Sequence, residues 1–145
     1  MKNPPTYDDA NLILKLYDLR REPRLREARK FVGAMKPFNS REDFLQACPA
    51  GSEENASLRM VVTYWDMAAS FVSTGVLNKE LFFRANNLEM VFVWEKVRMA
   101  LPEIRLVAKN PIQYRHLEEI ATEFIAHMNE NAPGWYEQMS GNMRK

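Results

Sequence analysis

Residues Asn55–Leu77 read NASLRMVVTYWDMAASFVSTGVL, and Leu88–Ala108 read LEMVFVWEKVRMALPEIRLVA. These two stretches decide the fold class. In both, apolar residues recur every three or four positions, the spacing of a helix with a buried face. The first pattern predicts a helix over about Ala56–Thr74. Met60, Val61, Tyr64, Trp65, Met67, Ala68, Ala69, Phe71 and Val72 cover more than half of its circumference, and Arg59, Thr63, Asp66, Ser70 and Ser73 fill the rest. A helix apolar over so wide an arc has neighbours on several sides. Gly75 stands where a left-handed C-terminal cap is expected, with Val76 and Leu77 as its apolar contact. The second pattern runs from Leu88 to Leu101 or beyond and carries two stripes. Met90, Val93, Trp94, Val97, Leu101 and Ile104 form one; Leu88, Phe92, Met99 and Leu106 form the other. The phase continues past Pro102, where a kink or short break is expected.

Outward from this centre the pattern stays helical. Thr6 is a candidate N-cap, with Asp8 and Asp9 in the first turn, followed by Leu12, Ile13, Leu16 and Tyr17. Pro23 suits the first turn of a second helix bearing Leu25, Ala28, Val32 and Met35, which Pro37 ends. Ser40 with Asp43 predicts a short third helix, and Ser52 caps the long fourth. Asn78 caps a fifth containing Leu81, Phe82 and Phe83. Asn110-Pro111-Ile112-Gln113 reads as the start of a seventh, which buries Leu117, Ile120, Ala121, Phe124 and Met128. Asn131-Ala132-Pro133-Gly134 ends that helix, and Trp135, Tyr136 and Met139 suit one last turn. No alternating run predicts a strand, and no repeat of a fixed period appears. The expectation is one all-α domain over 1–145: a bundle of about six or seven helices around two aromatic-rich ones, with 1–5 and 141–145 frayed.

Composition narrows the function classes. The chain has 145 residues and a net charge of +1, so there is no overall pull toward nucleic acid or an anionic membrane. One cysteine, Cys48, rules out an internal disulfide. The N-terminus lacks the apolar segment of a signal peptide. The longest apolar run, Met67–Val72, is interrupted by Ser70 and is far short of a membrane span. A cytoplasmic protein is the expectation. The glycines are isolated, so phosphate-binding loops and dinucleotide or serine-hydrolase fingerprints are absent.

The residues Tyr64-Trp65, Gly75-Val76-Leu77, Leu81-Phe82-Phe83, Val93-Trp94-Glu95 and Ile104-Arg105 occupy the central third of the chain. Their arrangement resembles a family of uncharacterised bacterial all-helical domains. In that family a long helix ends at a glycine, a short aromatic helix follows, and a tryptophan-bearing helix ends near an arginine. The resemblance implies an all-helical fold and assigns no catalytic residue. It also implies an N-terminal membrane helix in many members, of which this sequence shows no sign.

Three groups of residues carry candidate chemistry. His116, Glu119, Glu123 and His127 are spaced by 3, 4 and 4 and fall near one side of the seventh helix; histidine and carboxylate at such spacing suit zinc or iron. Against this, helical di-iron sites use Glu-x-x-His on two helices, and that motif does not occur here. A solvated helix edge is the competing reading, and no metal or cofactor is expected. Between Arg20 and Lys30 six cations face two acids, a local +4. Arg24, Arg26, Arg29 and Lys30 form a candidate anion or nucleic-acid patch, but no aromatic residue accompanies them for base stacking. A solvated face with acidic neighbours is favoured, and nucleic acid is not the expected partner. The turn Ser73–Leu77 suggests a helix-turn-helix, which fails because the following helix offers Leu81, Phe82 and Phe83 where polar base-reading groups are needed. Cys48 precedes Pro49 at a helix end that does nothing to stabilise a thiolate, so a structural role is expected. The third group is the stripe Leu88, Phe92, Met99 and Leu106, an interface if its own chain leaves it uncovered. The leading expectation is therefore a non-enzymatic protein-interaction or self-association module, a homodimer through that stripe. The alternatives are a metal- or small-ligand-binding protein using the His116 to His127 face, and a weakly nucleic-acid-associated protein using the basic patch.

Overall fold

The computed structural model describes residues 3–85 and 87–145. Among them are nine helices and no strand: α1 (Tyr7–Arg20), α2 (Pro23–Ala34), α3 (Arg41–Ala47), α4 (Glu53–Ser73), α5 (Lys79–Arg84), α6 (Leu88–Val97), α7 (Leu101–Ala108), α8 (Arg115–Asn131) and α9 (Trp135–Met143).

Local capping chemistry sets most of the boundaries. The Thr6 hydroxyl accepts from the Asp9 N–H at 3.3 Å, and the Asp9 carboxylate accepts from the Thr6 N–H at 2.8 Å, a closed capping box. Ser40, Ser52 and Asn78 accept from the N–H groups of Asp43, Asn55 and Leu81 in the same way. Pro23 opens α2 behind Glu22, whose carboxylate accepts from Arg24 and Leu25. At the end of α4, Gly75 takes φ 84° and the Leu77 N–H returns to the Phe71 carbonyl at 2.8 Å. That left-handed geometry carries almost no steric penalty in glycine.

α4 is the centre of the bundle. It packs most extensively on α2 and α8, and also touches α5 and α6. Its buried residues run from Ser57 to Val72 and include Trp65, Ala68 and Ala69. Met67, expected inside, lies on the exposed side. α6 packs on α8 as well as on α4, and it buries seven of its ten residues, including Glu95 and Lys96.

The helix count exceeds the expected six or seven for two reasons. The second aromatic helix divides into α6 and α7, with a turn over 98–100 between them. Pro102 lacks the N–H that would bond the Arg98 carbonyl one turn back, and its ring crowds that carbonyl. The break therefore falls a turn upstream of the proline, which itself sits in the first turn of α7. The last turn, in addition, is a full helix. α9 continues through Met143, and Arg144 is anchored by side-chain hydrogen bonds, so 141–144 are not frayed. At the other end Asn3 gives its carbonyl to the Asn78 amide at 3.0 Å, and residues 1 and 2 of the expected frayed segment lie outside the described residues.

The start of α8 also departs from expectation. Asn110–Gln113 form a turn, and α8 begins at Arg115. Lys109 and Tyr114 flank the turn with φ of 54° and 58°, a conformation that costs an L-residue about 1–2 kcal/mol. Arg105 braces it, donating to the Gln113 carbonyl and to Glu118 at 2.9 Å each. The cap expected from Asn110 comes instead from Asp66 on α4, which accepts from the Leu117 N–H at 3.0 Å. Among the described residues no helix is long and apolar enough to cross a membrane.

Candidate functional site

A cleft of about 440 Å³ opens where α2, α6 and the end of α9 meet, a volume in the range of small-ligand sites. Val32, Met35, Val61, Phe92, Val93 and Met143 make its walls apolar, and Arg29, Glu89 and Lys96 add three charges. Two of these charges cancel. The Arg29 guanidinium grips Glu89 with three hydrogen bonds of 2.8–3.0 Å, and the Trp65 indole N–H donates to the same carboxylate at 3.0 Å. Arg29 is thereby spent on a structural tie between α2, α4 and α6.

Lys96 is different. Only 6% of the residue is exposed. Its ammonium donates to the carbonyls of Val32 (2.6 Å) and Gly33 (2.9 Å), the open end of α2, where the helix dipole favours a cation. An ammonium has three N–H donors. Among the described residues the third has no acceptor, and no carboxylate forms an ion pair with Lys96. Burial pulls its pKa below the ordinary lysine value, with Glu89 opposing that pull.

Next to the cleft lies a second buried charge. Glu95 is fully enclosed. Its carboxylate accepts from Arg98 (2.9 Å), Ser140 (2.8 Å), Arg144 (3.0 Å) and the Tyr136 hydroxyl. Burial alone would raise its pKa; the bonds from Arg98, Tyr136, Ser140 and Arg144 outweigh that and hold it down at about 2. Three of the four donors come from α9 or its C-cap, so Glu95 is the post to which the C-terminal helix is tied.

The central aromatic elements thus surround charges held from distant parts of the chain, and a family model described as a domain of unknown function, DUF4760, matches residues 5–124. The chain belongs to the DUF4760 family. This agrees with the resemblance to an uncharacterised helical family carried by Tyr64-Trp65, Val93-Trp94-Glu95 and Ile104-Arg105. The DUF4760 match holds α1 to α7, most of α8 and the cleft walls other than Met143, while α9 lies beyond it. No curated protein matches the chain, and no solved structure does.

Of the candidate metal ligands, His116, Glu119 and Glu123 lie within the DUF4760 match and His127 lies beyond it. The His116 to His127 face is not gathered around one point. His116 Nδ1 meets the Ser73 hydroxyl at 2.9 Å, Glu123 pairs with Lys79 at 2.6 Å, and the His127 ring packs 5.5 Å from that of Phe83. Among the described residues no three histidine, cysteine or acidic groups are close enough to hold an ion. The basic patch is partly internal. Arg29, a member of the candidate anion patch, is half-buried on Glu89, and Arg24 reaches Glu53 and Ser57. Arg26 returns to the Arg21 carbonyl, and Lys30 is exposed. Cys48 is buried, and desolvation pushes its thiol up to about 11, with Glu54 adding to the shift.

Of the apolar stripe, Phe92, Met99 and Leu106 stand exposed, while Leu88 packs against the core. Val107 and Ile112 are exposed beside them in sequence, and α1 adds Tyr7, Leu14 and Tyr17. Sequence reasoning passed over Glu89, Glu95 and Lys96. The available signal is three charges inside an otherwise apolar ten-residue helix, a placement that requires partners once most of the helix is buried.

Proposed function

We propose that the protein is a non-enzymatic module that works by associating with a second copy of itself through α7 and the turns on either side of it. The observation that supports this is the outward face of α7. Leu101 is buried on one side of that helix. Leu106 and Val107 lie on the other, 78% and 58% exposed. Met99 precedes them and Ile112 follows, both exposed. Single exposed apolar residues are ordinary, but several within 14 consecutive positions, on a helix whose main contact is with the short α3, support reading this face as one that binds. The turn holding Ile112 is fixed by Arg105, so the face is presented in one shape, which lowers the ordering cost of binding. A two-fold dimer is the commonest closed arrangement for a self-complementary patch.

Light scattering over a concentration series tests this, with Leu106→Asp as the probe. Leu106 is exposed, so the variant keeps the helical circular dichroism spectrum. The expected result is a wild-type mass that rises with concentration toward twice 17.0 kDa, and a variant that remains at 17.0 kDa. A wild type and a variant with the same mass at every concentration would refute the reading.

A further inference from the structure

We infer that the cleft at α2 and α6 binds a small amphiphilic carboxylate, its head group on the Lys96 ammonium and its hydrocarbon body against Val32, Met35, Val61 and Phe92. Four observations carry this. The cleft is about 440 Å³ and mostly apolar, which suits a hydrocarbon chain. Lys96 lines it together with Val32 and Gly33, the two residues whose carbonyls hold its ammonium, so the cation is built into the wall. One N–H of that ammonium lacks an acceptor among the described residues, and a carboxylate oxygen supplies one along with the missing opposite charge. Glu89, the acid on the same wall, is paired with Arg29 and bonded by Trp65, so its repulsion of an incoming anion is largely offset.

The site requires an anion rather than any polar head. A neutral hydroxyl also accepts a hydrogen bond from the ammonium, but it leaves the buried charge uncompensated. Discrimination between the two head groups is thus the signature of the site. The residues involved are separate from the α7 face, so this inference stands or falls independently of self-association.

The test is calorimetric titration with decanoate and with decanol, which share a chain and differ in the head. Wild-type protein is expected to bind one decanoate per chain, at least about tenfold more tightly than decanol. Lys96→Met is expected to erase the preference, because decanoate loses both the hydrogen bond and the opposite charge while decanol loses only a hydrogen bond. Gly33→Leu serves as a second variant: Gly33 lines the cleft and a Cβ there meets nothing within 4 Å, so the longer side chain is expected to narrow the cleft and weaken both ligands, with circular dichroism checking that the fold is kept. No heat from decanoate, equal affinity for the two ligands, or a preference that survives in Lys96→Met would overturn the inference. If Lys96→Met does not fold, the wild-type comparison of decanoate with decanol decides the matter alone.

Discussion

Arg144, the C-cap of α9, sets its guanidinium against the fully buried carboxylate of Glu95, with Nε 3.0 Å and Nη2 2.9 Å from Oε2. The same guanidinium reaches the Glu95 carbonyl at 3.1 Å and the Asn39 side chain at 3.1 Å. Three segments separated in sequence therefore meet at one residue near the end of the chain. A buried carboxylate is costly unless its lone pairs are filled; here Arg98, Tyr136, Ser140 and Arg144 fill them.

The Glu95 cluster makes stability depend on pH. Its folded pKa of about 2 lies below the ordinary 4.5. A depressed carboxylate stabilises the fold above its unfolded pKa, and that stabilisation is lost as pH falls from about 4.5 toward 2. The shift corresponds to roughly 3 kcal/mol. Urea denaturation of wild type and Glu95→Gln should show the variant less stable at pH 7 by about this amount, with the gap narrowing steadily in acid. Parallel stability curves across that range would count against the cluster.

Releasing α9 should need only one substitution. Arg144→Ala removes the charged bonds to Glu95, a loss of about 2 kcal/mol. Tyr136 and Ser140 keep their bonds, and Trp135 and Met139 their packing, so the global fold survives. Amide exchange over 135–143 should accelerate selectively. Unchanged protection in that helix would show that Arg144 does not hold it.

The basic stretch of α2 divides into structural and solvated members. Arg29→Ala is expected to destabilise by about 1.5–3 kcal/mol, because it leaves the half-buried Glu89 without its cation. Lys30→Ala, by contrast, should fall within about 0.5 kcal/mol of wild type. Equal effects in chemical denaturation would restore the picture of a uniform surface patch.

Cys48 should be silent in the folded state. It is buried, and its thiol pKa stands near 11, so the thiolate that reacts is scarce and enclosed. Native protein at pH 8 should give no colour with a thiol-exchange reagent until denaturant is added, and then one equivalent. A fast native reaction would place the thiol at the surface.

The helices were legible in the sequence because their signals are local. Thr6, Ser40, Ser52 and Asn78 each cap a helix within four residues of themselves, and Gly75 needs only its own backbone freedom. Where a partner lies far away, the local signal misleads. Asn110-Pro111 imitates a helix start, but Asp66, 51 residues from Leu117, supplies the cap. Pro102 announced a break yet placed it a turn too late, because the disrupted hydrogen bond belongs to Arg98. The charged interior was hidden for the same reason: Glu95 waits for Arg144 and Lys96 for Val32, 49 and 64 residues away. Histidine and carboxylate spacing on α8 suggests a shared site, but His116 bonds to Ser73, Glu123 pairs with Lys79 and His127 packs on Phe83. The cleft has no linear signature, since its walls come from four helices and the segment after α2.

Self-association through α7 can be measured on the unmodified protein by sedimentation equilibrium. A monomer–dimer equilibrium is expected, with a weight-average mass climbing from 17.0 kDa toward twice that value as concentration rises. The equilibrium should be little affected by salt, because the contact is apolar. A mass fixed at 17.0 kDa throughout, even at millimolar concentration, would contradict it.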